Sequence, residues 1–175
     1  MNLHDTIAQA LIRSTCDVFS TMLGTELSSG EVTVEGTDSE ANDGVVSFIG
    51  LAGSWAGTGS LSCSPAMACR ICEAMLMTEA PSVNEEVLDA VAEITNMIIG
   101  GVKTDLETEL GPLGLSIPTV IFGRNFKTRS AGTAEWIHVR FLWGEDALRV
   151  KMCLAPSEKP HAIHHGATPV CALEI

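Results

Sequence analysis

Tyrosine is absent from this 175-residue chain, and all aromatic residues together make up 5% of it. A base-stacking surface is thereby excluded, because such platforms are built from rings. Cations are also scarce, with 10 Lys and Arg against 22 Asp and Glu and a net charge of -12. That imbalance argues against nucleic acid and anionic membrane surfaces as partners and is compatible with a basic protein partner. No run approaches eighteen apolar residues, and the N-terminus lacks the basic-then-apolar pattern of a signal peptide. The expectation is a soluble, cytoplasmic protein with no membrane association. Ser-His-Asp and Cys-His signatures are missing too, and Gly53, Gly57 and Gly59 fit neither phosphate-loop spacing. Nucleophilic catalysis and nucleotide binding therefore have no support in the sequence.

What is present is an aliphatic chain, 46% hydrophobic, long enough to bury roughly 70% of its unfolded surface in one core. Six cysteines, at 16, 63, 69, 72, 153 and 171, are expected to be reduced, since a chain of this size needs no staples. Cys69 and Cys72 form a C-x-x-C, but it falls inside a helical stretch without a second pair at zinc spacing. His161, His164, His165 and Cys171 gather in a polar tail. Such a tail is ordinarily solvated; a metal-responsive role is the competing reading, and no metal site is assigned.

The stretch from 82 to 110 organises the rest. Ser82 and Glu85 have capping-box spacing, which predicts a helix starting near Val83. Val87, Val91, Ile94, Ile98, Val102 and Leu106 recur at steps of three or four and predict one buried stripe. At about 100° per residue, Asp89, Glu93, Asn96 and Gly100 fall within a sector of roughly 60° on the opposite side. A solvated surface is the plain reading of such a face. Thr95, Asn96 and the Gly100-Gly101 pair, however, weaken the helix by helix-propensity standards, as though the face served an approaching partner. A carboxylate with an amide one turn away can hold a cation and orient a water.

The spacing Asp89, three residues, Glu93, two residues, Asn96, twenty-one residues, Pro118 resembles the signature of the CheX/CheC/FliY phosphatases of bacterial chemotaxis. The residues expected near the N-terminus to form the first helix, 3–23, contain no Glu and so cannot carry a second copy. A single copy resembles the one-site, CheX-like branch. The resemblance implies hydrolysis of the aspartyl phosphate on a CheY-like response regulator, with Glu93 and Asn96 catalytic and Asp89, Gly100 and Pro118 in support. Asn96 would hold the attacking water, and Glu93 would pair with a lysine of the regulator. No cofactor of its own is implied; Mg²⁺ would be supplied by the regulator. A homodimer formed through sheet pairing is implied as well. A CheX-like module that docks a response regulator or flagellar-switch protein without turnover is the alternative.

In chain order the pattern predicts a helix over 3–23 and a short strand around Val32-Thr33-Val34. An acidic turn at 37–40 follows, then a hairpin of 45–51 with 55–63. Ser64 and Pro65 start a second helix to about Met77, whose methionines read as core filler. After the long helix, a strand begins at Pro118, Lys127-Thr128-Arg129 reads as a solvated basic loop, and strands over 133–142 and 147–154 flank a turn at 143–146. The fold class is α+β, an antiparallel sheet packed with long helices. The resemblance adds two layers and internal pseudo-symmetry. Residues 1–155 are expected to form one domain and 156–175 a polar tail, with an edge strand possible over 170–175.

Overall fold

The structure, a computed structural model, describes residues 2–36, 39–129 and 134–157. The chain runs α1 (Leu3–Met22), β1 (Ser28–Glu35), β2 (Ser39–Gly53), β3 (Trp55–Cys63), α2 (Pro65–Leu76), α3 (Glu85–Leu110), β4 (Leu113–Leu115), β5 (Thr119–Arg129), β6 (Trp136–Trp143) and β7 (Asp146–Pro156). Every strand pairing is antiparallel, in the order β1-β6-β7-β3-β2, with β4 and β5 end to end on the far edge of β2. The α+β class stands. Exchanging α1-β1-β2-β3 for α3-β5-β6-β7 turns the order β1-β6-β7-β3-β2-β5 into its own reverse. The expected pseudo-symmetry is thus written in the strand order, with the axis between β7 and β3.

All six stripe residues of α3 are fully buried. They join Ile7, Leu11 and Phe19 of α1, Met67 and Ile71 of α2, and the sheet residues Ile49, Leu61, Val139 and Val150 in one core. Two close approaches seat α3. Against the sheet, a Cβ on Gly59 of β3 would lie 2.6 Å from Ile99 Cδ1. Against α1, a Cβ on Gly101 would run into the Ser14 hydroxyl, which itself donates to the Ile98 carbonyl at 2.7 Å. Arg13 Nε donates to Asp105 at 3.2 Å along the same crossing. The turn between β6 and β7 is tied down from the helical side: Phe19 meets Trp143 edge to face at 5.8 Å, and Arg70 stacks 3.9 Å from the Trp143 ring and donates to its carbonyl.

Several boundaries differ from expectation for local reasons. α3 starts at Glu85, because the Asn84 side chain, not Ser82, accepts the Val87 N–H at 3.0 Å. Lys127-Thr128-Arg129 is no loop; it ends β5 and pairs with Ser39–Ala41, so β2 begins far earlier than the hairpin spacing indicated. Gly111 does end α3, but Leu113–Leu115 then forms a short strand on β2. Glu107 helps fix that turn by accepting the Leu113 N–H at 2.9 Å, a bond that, with Lys103, holds its carboxyl below the usual range. Of the α2 methionines, Met67 fills core while Met77 is 92% exposed just past the helix end at φ 56°. Residues 37–38, the His161, His164, His165 and Cys171 tail and the expected 170–175 edge strand lie outside the described residues. Among the described residues no helix is long and apolar enough to cross a membrane.

The Gly59–Ile99 contact sets the distance of α3 from the sheet, and one substitution tests it. Gly59→Ala is expected to cost about 1–3 kcal/mol by overpacking. Ile99→Ala should cost less in that background than alone. Urea unfolding of the double-mutant cycle measures this, and strict additivity would remove the contact from the account.

Candidate functional site

The site is built on the outward side of α3. A helix whose stripe is fully buried must present the opposite residues to solvent. Asp89 and Glu93 are exposed, and Asn96 and Gly100 half-buried. From Asp89 to Gly100 the row spans about 16 Å at 1.5 Å per residue, and Glu93 and Asn96 stand about one turn apart. The N-terminus of α3 is secured by the Asn84 cap and by Glu85 and Glu86 in its first turn, which suit the positive end of the helix dipole. The helix is therefore a fixed bar.

Neither the Glu93 carboxylate nor the Asn96 amide has a hydrogen-bond or ion-pair partner among the described residues. This contrasts with their neighbours on the same helix: Lys103 pairs with Glu107 at 2.8 Å, Asp105 with Arg13, and Thr104 with the Gly100 carbonyl at 3.0 Å. An exposed acceptor-only group beside an amide that both donates and accepts can grip a cation on one side and a water on the other.

The weak helix formers of this segment divide between structure and site. Thr95 is fully buried, and its hydroxyl donates to the Val91 carbonyl at 2.7 Å, so it does not belong to the outward face. Gly101 is explained by the crossing with α1. Gly100 alone looks outward, where an added Cβ would meet only Leu115 Cδ1, at 3.9 Å. Leu115 connects this end of the row to the sheet edge that leads to Pro118. There the edge is interrupted: Ser116 donates its N–H to the Gly50 carbonyl and accepts the Gly50 N–H through its hydroxyl, each at 2.9 Å. Pro118, lacking an N–H, stands just before β5 resumes pairing at Thr119–Phe48. The structure thus aligns Asp89, Glu93, Asn96 and Gly100 on one element and places Pro118 on the neighbouring edge. Sequence reasoning missed Ile117, which is 84% exposed in the same break. Its only sequence signal was an apolar β-branched residue before a proline, which reads as strand interior.

The described thiols offer no chemistry beside this row. Burial pushes the Cys63 thiol up to about 12 and raises Cys16, Cys69 and Cys72 above the ordinary thiol range. Such cysteines are poor nucleophiles. Cys69 and Cys72 both lie within α2, and the described cysteines are free thiols. Among the described residues no three His, Cys, Asp or Glu side chains converge to hold a metal ion.

Comparison with known proteins places this geometry. Residues 45–142, which include Asp89, Glu93, Asn96 and Pro118, match the family described as chemotaxis phosphatase CheX. The CheY-P phosphatase CheX of Thermotoga maritima is 30% identical over 127 residues, covering 72% of this chain and 81% of that one. A CheC-like superfamily protein from a Shewanella species, solved by crystallography, matches with a TM-score of 0.78 and 26% identity, over 89% of this chain and 99% of that one. A CheX from Borrelia burgdorferi, crystallised with CheY, BeF3 and Mg²⁺, matches at TM-score 0.70 and 22% identity over 83% and 96% of the two chains, a likeness of fold.

Two outcomes test the local physics of the site. Asn84→Ala is expected to cost about 1 kcal/mol of stability through the lost cap, read from the urea midpoint. Cys63, with its thiol pushed up to about 12, stays protonated at pH 8, so iodoacetamide should leave it unmodified in the native protein and label it after unfolding. Fast native labelling of Cys63 would contradict its placement.

Proposed function

The chain belongs to the CheX family of chemotaxis phosphatases, and from that membership we propose that it hydrolyses the aspartyl phosphate of a CheY-like response regulator in two-component signalling. The observation that carries the reading onto residues is the pair Glu93 and Asn96, both without a partner among the described residues, on the outward side of a helix whose other side is locked in the core.

α3 lays this side across the regulator's active site. Asn96 directs the attacking water in line with phosphorus through its amide, a positioning task for which a neutral side chain suffices. Glu93 pairs with a lysine beside the regulator's phosphoryl site and sets the register of the helix. Asp89 lies at the rim of the contact. Gly100 leaves room at its far end, and Pro118 fixes where the neighbouring edge strand begins. The phosphoryl group and the Mg²⁺ that neutralises it belong to the regulator. Support for that division comes from the Borrelia complex, in which CheX was crystallised with CheY and Mg²⁺. The activity resides in one domain acting in the cytoplasm, expected to end at 155 and carried by β7 through Pro156.

A homodimer completes the proposal. Both sheet edges carry exposed apolar residues, Val32 and Val34 on β1 and Phe122 on β5, and an open edge can pair with another copy. Light scattering at micromolar concentration is expected to give twice the monomer mass; a strict monomer would count against edge pairing.

The test of function compares dephosphorylation of an acetyl-phosphate-charged CheY-like protein from the same cell with the regulator's own decay. Asn96→Ala should leave stability nearly unchanged, since alanine favours the helix by a few tenths of a kcal/mol, and lower turnover by about one to three powers of ten. Glu93→Ala should weaken binding to the phosphorylated regulator and reduce its salt dependence, which Asn96→Ala leaves intact. If the wild-type chain accelerates the decay of none of the cell's regulators, catalysis is excluded and a docking module is what remains.

A further inference from the structure

The interrupted sheet edge between β4 and β5 carries a side chain that the packing of the domain leaves unused. Ile117 is 84% exposed, whereas Val32, Val34, Leu76 and Phe122 lie between 40% and 48%. Met77 is barer still, but it is an unbranched, flexible residue just past a helix end. Ile117 is stiff and firmly mounted. Its branching at Cβ restricts χ1, and Pro118 after it confines its backbone to the extended region. On its other side Ser116 anchors the chain: its N–H donates to the Gly50 carbonyl, and its hydroxyl accepts the Gly50 N–H and donates to the Ile117 carbonyl, each at 2.9 Å. Between this contact and the next pairing, Thr119 with Phe48, β2 has one residue, Ile49, where the facing chain has two, Ile117 and Pro118. That is a bulge, a device by which a sheet edge re-aims a side chain.

The aim follows from the neighbours. Leu115 pairs with the core residue Leu51 and lies where a Cβ on Gly100 would touch it, so it is on the helix side of the sheet. Ser116 is on the other side, where its hydroxyl would stand 3.4 Å from a Cβ on Gly50. Alternation then returns Ile117 to the side of α3. It stands at the end of the outward row, one helical turn from Asn96 to Gly100 and two strand residues beyond Leu115.

We propose that Ile117 is a specificity-determining contact of the phosphatase site, an apolar anchor that packs against an apolar patch beside the phosphoryl pocket of the response regulator. This rests on the function proposed above and adds the contact that tells one regulator from another. Glu93 and Asn96 address a lysine and a phosphoryl group, chemistry that any CheY-like regulator offers, so the choice among regulators has to come from surface outside the pocket. A stiff, branched side chain on a tied backbone suits that task, because it loses little freedom on binding and its burial depends on the shape it meets. A second copy of this chain is the competing occupant. Pro118 lacks an N–H and the bulge displaces the register, however, which makes this the point of the edge least suited to strand pairing.

Affinity is measured by fluorescence anisotropy with a labelled CheY-like regulator from the same cell, held phosphorylated by excess acetyl phosphate, in the slow-turnover background Asn96→Ala. Adding Ile117→Ala is expected to weaken binding about tenfold, Ile117→Val about threefold or less, and Val32→Ala, on the opposite sheet edge, less than twofold. With Asn96 intact, Ile117→Ala should raise KM by the same factor with kcat within twofold, the pattern of a contact made equally in the ground and transition states. Its salt dependence should stay that of the wild type, unlike Glu93→Ala. The wild type alone gives another readout: the Ile117 Cδ1 methyl resonance, assigned by its absence from Ile117→Val, should shift when the regulator is added. Binding that Ile117→Ala leaves within twofold, or a methyl that does not move, overturns the contact and leaves the phosphatase reading standing. Binding without turnover that still falls tenfold in Ile117→Ala supports the contact and overturns catalysis alone. A wild type that binds none of the cell's phosphorylated regulators overturns both. Light scattering in which Ile117→Ala dissociates a homodimer assigns the side chain to a second copy and overturns the proposal.

Discussion

The seating of α3 is the constraint on which the rest of this molecule depends. Ile99 reaches the sheet only because β3 offers Gly59, and α1 closes on α3 only because Gly101 leaves space for the Ser14 hydroxyl. Neither approach leaves room for a Cβ on its glycine, and they lie on different sides of the helix. Together they fix its height above the sheet and its rotation about its own axis. The second quantity matters more for function, because about 100° of rotation is all that separates one residue's direction from the next.

A site that works by geometry needs such a mount. Glu93 and Asn96 have no hydrogen-bond or ion-pair partner among the described residues, and in the proposed mechanism what the protein contributes is direction. A bar pinned by core packing on one side and free of partners on the other loses little further entropy when it meets another surface, which is the advantage of presenting functional groups on a regular element. The break at Ser116–Pro118 serves the same end. By interrupting the edge strand, it lets β4 and β5 share one partner strand while the chain passes beside Gly100.

The central part of this design was legible in the sequence because a helix repeats itself. The buried stripe from Val87 to Leu106 and the opposite row from Asp89 to Gly100 both follow from one period, and the structure has them as read. The errors came where meaning depends on residues far away in the chain. Thr95 and Gly101 looked like concessions on an exposed surface, yet one bonds its own helix inside the core and the other accommodates α1, whose position no local pattern encodes. Lys127-Thr128-Arg129 looked like a loop because its partners, Ser39–Ala41, lie in a polar stretch with no strand alternation. Asn84 took the cap from Ser82 by lying two residues closer to the first helical turn.

The palindromic strand order has a consequence for how this chain comes together. Neither half owns a complete sheet: β1 of the first half pairs only with β6 of the second, and Ser28 lies 114 positions from its partner Leu142, the difference of the two numbers. The two ends of the polypeptide must therefore meet before the outermost strand has anything to bond, and no part of the sheet on that side can mature while the chain is still emerging. Topologies dominated by such distant pairings pay loop closure first and fold slowly. By the same reasoning two copies of one half, related by the internal axis, would contain every pairing that the full sheet uses except that of β4 with β2. The fold thus has the arrangement of two like halves on one chain, and halves held by one chain need not be alike: α3 carries the Asp89, Glu93 and Asn96 row, and α1 contains no Glu.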